Sequence, residues 1–224
     1  DSKVRLVQEH AVYAAMVEAM DRAVGKVLKS LKKLKLDKNT VVIFMSDNGG
    51  LSTSGGHPTS NLPLRAGKGW LYEGGIREPM LISWPGKFES RTDDTPVTST
   101  DFYPTILELA GLPLKPEQHV DGISLASLLK ENKKLKREAL YWHYPHWGNQ
   151  GGTPGAVIRN GDYKLIQYFT DKPTELFNLK KDIGETKSLA DSKKDKVQKM
   201  ERMLNQWLQE TDAKLPSPNP YYNK

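Results

Sequence analysis

Residues 41–78 read VVIFMSDNGGLSTSGGHPTSNLPLRAGKGWLYEGGIRE, and the fold of the chain turns on how this stretch is understood. The run Val41 to Met45 is short, β-branched and aromatic, and it stops at Ser46-Asp47-Asn48-Gly49-Gly50. That is the pattern of a buried parallel strand emptying into a loop. In an open α/β sheet, ligands bind at the carboxyl ends of strands, which makes Asp47 and Asn48 candidate site residues. Their oxygens suit a hard divalent cation such as calcium or magnesium. A plain Asp-Asn-Gly-Gly turn is the competing reading, because these residues also favour turns for local backbone reasons.

The polar loop that follows is long for a compact domain, and long connections without secondary structure are usually functional. Within it Lys68 stands between Gly67 and Gly69, where glycines let the backbone approach a ligand and a lysine can neutralise an anion. His57, Asn61 and Arg65 lie in the same loop. Arg65 is the better substrate-binding candidate, since a guanidinium recognises oxyanions, although a structural salt bridge suits it equally well. Arg77, after Glu73-Gly74-Gly75, reads as a structural ion-pair partner.

Upstream, residues 3–35 carry Val17, Met20, Val24, Val27, Leu28, Leu31 and Leu34 at spacings of three and four, which predicts one long amphipathic helix packed on a sheet. His10 on this segment has no partner in the sequence and is left out of the site. Downstream, Met80 to Trp84 reads as a second short strand closed by Pro85-Gly86. Ser99-Thr100-Asp101 caps a helix over about 102–110, and a short helix is expected around Ile123 to Leu129. Beyond Leu140 the composition changes. Tyr141 to Trp147 is aromatic, with His143 and His146 at a spacing of three, a set suited to lining a carbohydrate pocket or simply to a strand with exposed histidines. Ala156 to Arg159 and Tyr163 to Ile166 form a hairpin about Asn160-Gly161, with a further strand near 175–179. Residues 194–210 form an amphipathic helix, and 215–224 an extended tail. The expected domains are 1–135, 136–214 and the tail 215–224.

The chain has 224 residues, 37% hydrophobic and 27% charged, enough for a sizeable core. Its net charge of +6 comes largely from lysine runs that read as solvated faces. No nucleic-acid-binding motif accompanies those runs, so nucleic acid is not an expected partner. There are no cysteines, which excludes disulfides and thiolate zinc sites. No apolar stretch approaches a membrane span and the first residues have no signal-peptide core, so no membrane partner is expected.

Taken together and in order, SDNGG, GKGWLYEGGIREP and WPG resemble the sulfatase family of the alkaline phosphatase superfamily, over roughly residues 3–130 and more loosely beyond. The resemblance implies an α/β fold: part of an alkaline-phosphatase-like sheet sandwiched by helices, then a small α+β subdomain with an antiparallel sheet and a carboxyl-terminal helix. It implies hydrolysis of sulfate esters of carbohydrates or aryl groups, with Asp47 and Asn48 as ligands of a divalent cation, calcium in this family, and Lys68 holding a sulfate oxygen. It also raises His143 and His146 to substrate-contact candidates beside Arg65. The family's formylglycine, made in a Cys/Ser-x-Pro/Ala-x-Arg motif, has no counterpart here, and the other metal-ligand pair is also missing. The chain is therefore expected to be a carboxyl-terminal portion, inactive alone, whose partner is the amino-terminal part of the same protein. A periplasmic or extracellular location follows from the family. Two other readings stay open at this point: a phosphatase, phosphodiesterase or phosphonate hydrolase of the same superfamily, and a non-catalytic module binding an anionic polysaccharide.

Overall fold

The computed structural model describes residues 5–54, 58–217, 219 and 221. It contains α1 (Ala11–Lys33), β1 (Val42–Met45), α2 (Glu73–Ile76), β2 (Met80–Ser83), α3 (Phe102–Leu109), α4 (Ala126–Glu131), β3 (Leu140–Tyr144), β4 (Gly155–Asn160), β5 (Tyr163–Tyr168), β6 (Glu175–Asn178) and α5 (Lys194–Glu210). The strands form a two-stranded sheet, β1-β2, and a four-stranded sheet in the order β3-β4-β5-β6. Two compact units emerge. One comprises Asp1–Ala23, Met45–Met80 and Glu138–Lys224, the other Val24–Phe44 and Leu81–Arg137.

The first unit is built on the antiparallel meander β3 to β6. Asn160 pairs with Tyr163, so the β4-β5 turn is Gly161-Asp162, with Gly161 supplying the positive φ of +59° that a tight hairpin needs. Alternation along β4 and β5 sends Ala156, Ile158 and Leu165 to one face, where they meet Met200, Leu204 and Leu208 of α5. Val157 and Ile166 point to the other face and meet Leu71 and Tyr72 of the loop that carries Lys68, with Phe177 and Leu179 beside them. The sheet is thus covered on both sides, which explains why Ala156-Val157-Ile158 is a continuous apolar run. The apolar stripe of α5, Val197, Met200, Met203, Leu204, Trp207 and Leu208, lies against this sheet, and Tyr141 stacks on Trp207 at 4.9 Å between ring centroids.

The second unit centres on Asp101. Thr98 and Asp101 form a capping box at the 3₁₀ turn that leads into α3, one residue earlier than the Ser99 cap expected from sequence. The fully buried Asp101 carboxylate also accepts the Ile123 N–H at 3.0 Å and is bound by the Arg137 guanidinium. Thr105 Oγ1 accepts the Leu125 N–H at 2.8 Å and so fixes the entry to α4.

Two expectations change. The long helix starts at Ala11 rather than near residue 3, and none of its residues is buried. Its apolar stripe is present, but Met20 and Val27 are 48% and 60% exposed, and nothing among the described residues covers them. An amphipathic period states which face seeks a partner without supplying that partner. For the same reason β1, read as a buried strand, is only half-buried. Residues 45–80 cluster with the carboxyl-terminal sheet, because the apolar side chains of that loop are packed on it.

Candidate active site

Asp47 and Asn48 directly follow β1. The Ser46 hydroxyl donates to the Asn48 carbonyl at 2.9 Å and closes the turn. Two residues on, the Gly50 carbonyl accepts the Lys68 backbone N–H at 3.2 Å and the Asn61 Nδ2 at 2.8 Å. Asn61 Nδ2 also reaches the Ala66 carbonyl at 2.9 Å, so this residue ties the loop together rather than facing a ligand. The acid-amide turn and the lysine turn, distant in sequence, are therefore held as one piece. Lys68 is exposed and makes no ion pair or side-chain hydrogen bond among the described residues.

The loop is anchored from below. Tyr72 packs on Phe177, and its hydroxyl donates to Glu175 Oε2 at 2.7 Å. Burial, the leading cause, pushes the phenols of Tyr72 and Tyr168 well above their ordinary range. A completely buried lysine, Lys164 of β5, lies between Glu73 Oε1 at 3.0 Å and Glu185 Oε1 at 2.9 Å. Glu185 Oε2 in turn accepts the Glu73 backbone N–H at 2.6 Å, at the first residue of α2. Burial raises the Glu185 carboxyl and the Lys164 charge opposes that rise. Sequence reading missed this cluster. The one available signal was the period of β5, which puts Lys164 on the same inward face as Ile166.

The chemistry of the acid-amide turn fits a hard cation. Neither the Asp47 nor the Asn48 side chain has a hydrogen-bond or ion-pair partner among the described residues. Glu78 Oε1 is buried without a partner. The Glu78 carboxyl is pushed up to about 7, first by burial and then by the charge of Asp47. A buried oxygen without a donor, as at Glu78, is costly unless something positive meets it, whereas Asp47 is exposed and Asn48 half-buried. Among the described residues no group of three or more His, Cys, Asp or Glu is placed to hold a metal ion.

The remaining candidates take separate positions. Arg65 donates from Nη1 to the Glu185 carbonyl at 2.8 Å and lies 3.9 Å over the Tyr72 ring, on the anchored side of the loop. His143 Nε2 donates to the Lys214 carbonyl at 2.9 Å, which fixes that tautomer and leaves Nδ1 buried as a free acceptor. His146 is exposed against Tyr144, with ring centroids 5.3 Å apart. Arg77 does pair with Glu73, at 3.7 Å. His57 lies outside the described residues.

The strand-end acid-amide pair and the lysine turn are thus joined in one loop, which offers oxygens suited to a cation and an ammonium suited to an anion. Residues 1–112 match the sulfatase family, and residues 66–214 match the family described as N-sulphoglucosamine sulphohydrolase, C-terminal. The chain belongs to the sulfatase family. A sulfatase of Formosa agariphila is 38% identical over 227 residues, 91% of this chain and 40% of that protein. The crystal structure of Ps i-CgsB in complex with k-i-k-neocarrahexaose superimposes with a TM-score of 0.75 at 35% identity, covering 88% of this chain and 43% of that one. A structure solved with its substrate D-glucosamine-2-N,6-O-disulfate gives a TM-score of 0.65 at 26% identity, covering 87% and 38%. The chain thus spans less than half the length of these relatives and corresponds to their carboxyl-terminal portion, with the mixed α/β fold expected from sequence. No described helix is long and apolar enough to cross a membrane.

Proposed function

We propose that the protein to which this chain belongs hydrolyses a sulfate ester of a carbohydrate, and that this chain contributes one side of the active site. The observation that carries the reading is the hydrogen bond from the Lys68 N–H to the Gly50 carbonyl, which makes the lysine turn and the Asp47-Asn48 turn one rigid element. Relatives solved with k-i-k-neocarrahexaose and with D-glucosamine-2-N,6-O-disulfate favour a sugar as the carrier of the sulfate.

In this reading Asp47 and Asn48 hold a divalent cation, calcium being the family's ion. When bound, it supplies positive charge to the sulfate oxygens. Lys68 places its ammonium on a sulfate oxygen, where it gains most as the S–O bond breaks and negative charge builds up. Glu73, Lys164 and Glu185 keep the turn from moving as that charge develops, so little reorganisation is needed during reaction. Of the sugar-contact candidates, His146 is exposed and free to reach a ligand, whereas Arg65 and His143 are tied to the Glu185 and Lys214 carbonyls and serve the framework of the enzyme. Its nucleophile, a formylglycine, belongs to another part of the same protein, since the chain has neither cysteine nor the modification motif. A periplasmic or extracellular site of action accompanies the family and its polymeric substrates.

The test compares the full-length protein, its Lys68→Ala variant and the isolated chain on sulfated oligosaccharides and an aryl sulfate. Full-length protein should turn over and the isolated chain should not. Lys68→Ala should lower kcat by about 100- to 1000-fold, the usual loss for a group that stabilises transition-state charge. An unchanged kcat in Lys68→Ala, or turnover by the isolated chain, would contradict this reading.

A further inference from the structure

The turn 147–150 sits on the lysine turn more closely than any sequence pattern suggests. Gly69 adopts φ +86°, and a Cβ there would lie 2.8 Å from Gln150 Cβ and 3.2 Å from its Oε1. A Cβ on Gly152 would meet the Gly69 carbonyl oxygen at 1.7 Å. The backbone of Gly152 thus lies directly against that of Gly69, an approach only glycine permits, and the Gln150 side chain covers Gly69 where a Cβ would stand. Hydrogen bonds then lock the pair. The Gln150 carbonyl accepts Trp70 Nε1 at 2.9 Å and Thr53 Oγ1 at 2.8 Å, and Trp70 Nε1 also reaches Thr53 Oγ1 at 3.1 Å.

What this clamp leaves unused is informative. It engages the main chain of Gln150, while the side-chain carboxamide, laid over the residue next to Lys68, has no hydrogen-bond partner among the described residues. Three residues earlier in the same turn, Trp147 is 73% exposed, a large aromatic surface with no packing role. A carboxamide offers both donor and acceptor, and an indole face offers a flat apolar platform. Sugars present the complementary surfaces, with hydroxyls around the ring edge and C–H groups on its face.

We infer that the turn Trp147–Gln150 recognises the sugar ring that carries the sulfate, with the Gln150 carboxamide hydrogen-bonding a ring hydroxyl and the Trp147 indole stacking on the ring face. This rests on the sulfatase reading and adds to it the residues that select sugar over other sulfate esters. Because Gln150 is held through its main chain, changing its side chain leaves the clamp in place.

The experiment measures kcat and KM of the full-length protein and its Gln150→Ala, Gln150→Glu and Trp147→Ala variants on a sulfated oligosaccharide and a small aryl sulfate, with thermal unfolding as the folding control. The preference for oligosaccharide over aryl sulfate, as a ratio of kcat/KM, should shrink about tenfold in Gln150→Ala and Trp147→Ala, mainly through KM. Gln150→Glu should lose more, because its carboxylate repels a sulfated ligand. An unchanged ratio, whether the two substrates decline together or neither declines, would overturn the inference and leave the turn as a mere support for Lys68. No hydrolysis by the unmodified protein would instead sink the sulfatase reading and this inference with it.

Discussion

Replacing Lys164 by methionine keeps the length of the side chain and removes its charge from between two buried carboxyls. Glu73 and Glu185 are 2% and 0% exposed, and the lysine stands 3.0 and 2.9 Å from them. Removing one member of a buried ion cluster costs about 3–5 kcal/mol, because the remaining charges stay desolvated. Two features pull the estimate toward the lower end. Arg77 still reaches Glu73 at 3.7 Å, and Glu185, already raised by burial, can take up a proton. For a cooperative unit of this size, a loss of about 3 kcal/mol lowers Tm by roughly 6–12 °C. The sign with pH follows from the same carboxyl. A group whose folded pKa lies above its unfolded value favours folding at low pH and loses that advantage as pH rises through the folded pKa. Without Lys164 to oppose it, the Glu185 shift grows. The deficit of Lys164→Met should therefore be largest at neutral pH and shrink as pH falls toward the ordinary carboxyl range. Calorimetry of the full-length protein at pH 7.5 and pH 5 reads both quantities. Adding Glu185→Gln should recover part of the loss. A Tm change within about 1 °C, or a deficit that widens on acidification, would refute the account of Lys164 as the charge that makes this burial tolerable.

Three further outcomes follow from the packing and the site. Leu204→Ala, at a fully buried position of α5 against Ile158 and Leu165, should cost about 2–5 kcal/mol by denaturant unfolding, with the exposed Gln206→Ala as a near-neutral control. Asp101→Ala should destabilise the second unit by about 3 kcal/mol, since it strands Arg137 and the Thr98 and Ile123 N–H groups; protease susceptibility within 81–137 would report it. Chelation of divalent cations should lower turnover of the full-length protein by more than about 100-fold, with calcium restoring it, while Asp47→Ala should weaken that rescue.

How far the sequence carried these conclusions depends on the range of the forces involved. The helix at 194–210 and the strands of the 156–166 hairpin are set by periodicity inside a few residues and folded where their patterns placed them, while the turn falls at Gly161-Asp162, one residue beyond the Asn160-Gly161 expected. The strand end at Asp47-Asn48 and the glycine-flanked Lys68 stand out as candidates because short motifs carry them, although their union through Gly50 could not be read. The covering of α1 could not be read, since a stripe does not name its partner. Lys164, Glu185 and Gln150 escaped for a related reason. A lysine in a strand, a glutamate after a loop and a glutamine in a turn look ordinary until contacts across the chain bring them to Glu73 or Gly69.

The bond from the Glu73 N–H to Glu185 also sets a timetable for synthesis. Its two ends are 112 residues apart in the chain. At about 5–20 residues per second, the later residue leaves the ribosome roughly 6–20 seconds after the earlier one. Until β4, β5 and β6 have followed, the lysine loop has no sheet to pack on, and Leu71 and Tyr72 lack the apolar surface of Val157, Ile166 and Phe177. The lysine turn therefore waits for residue 185 to be anchored, and a ribosome stalled before that point would leave the Glu73 N–H without this partner whatever had folded earlier.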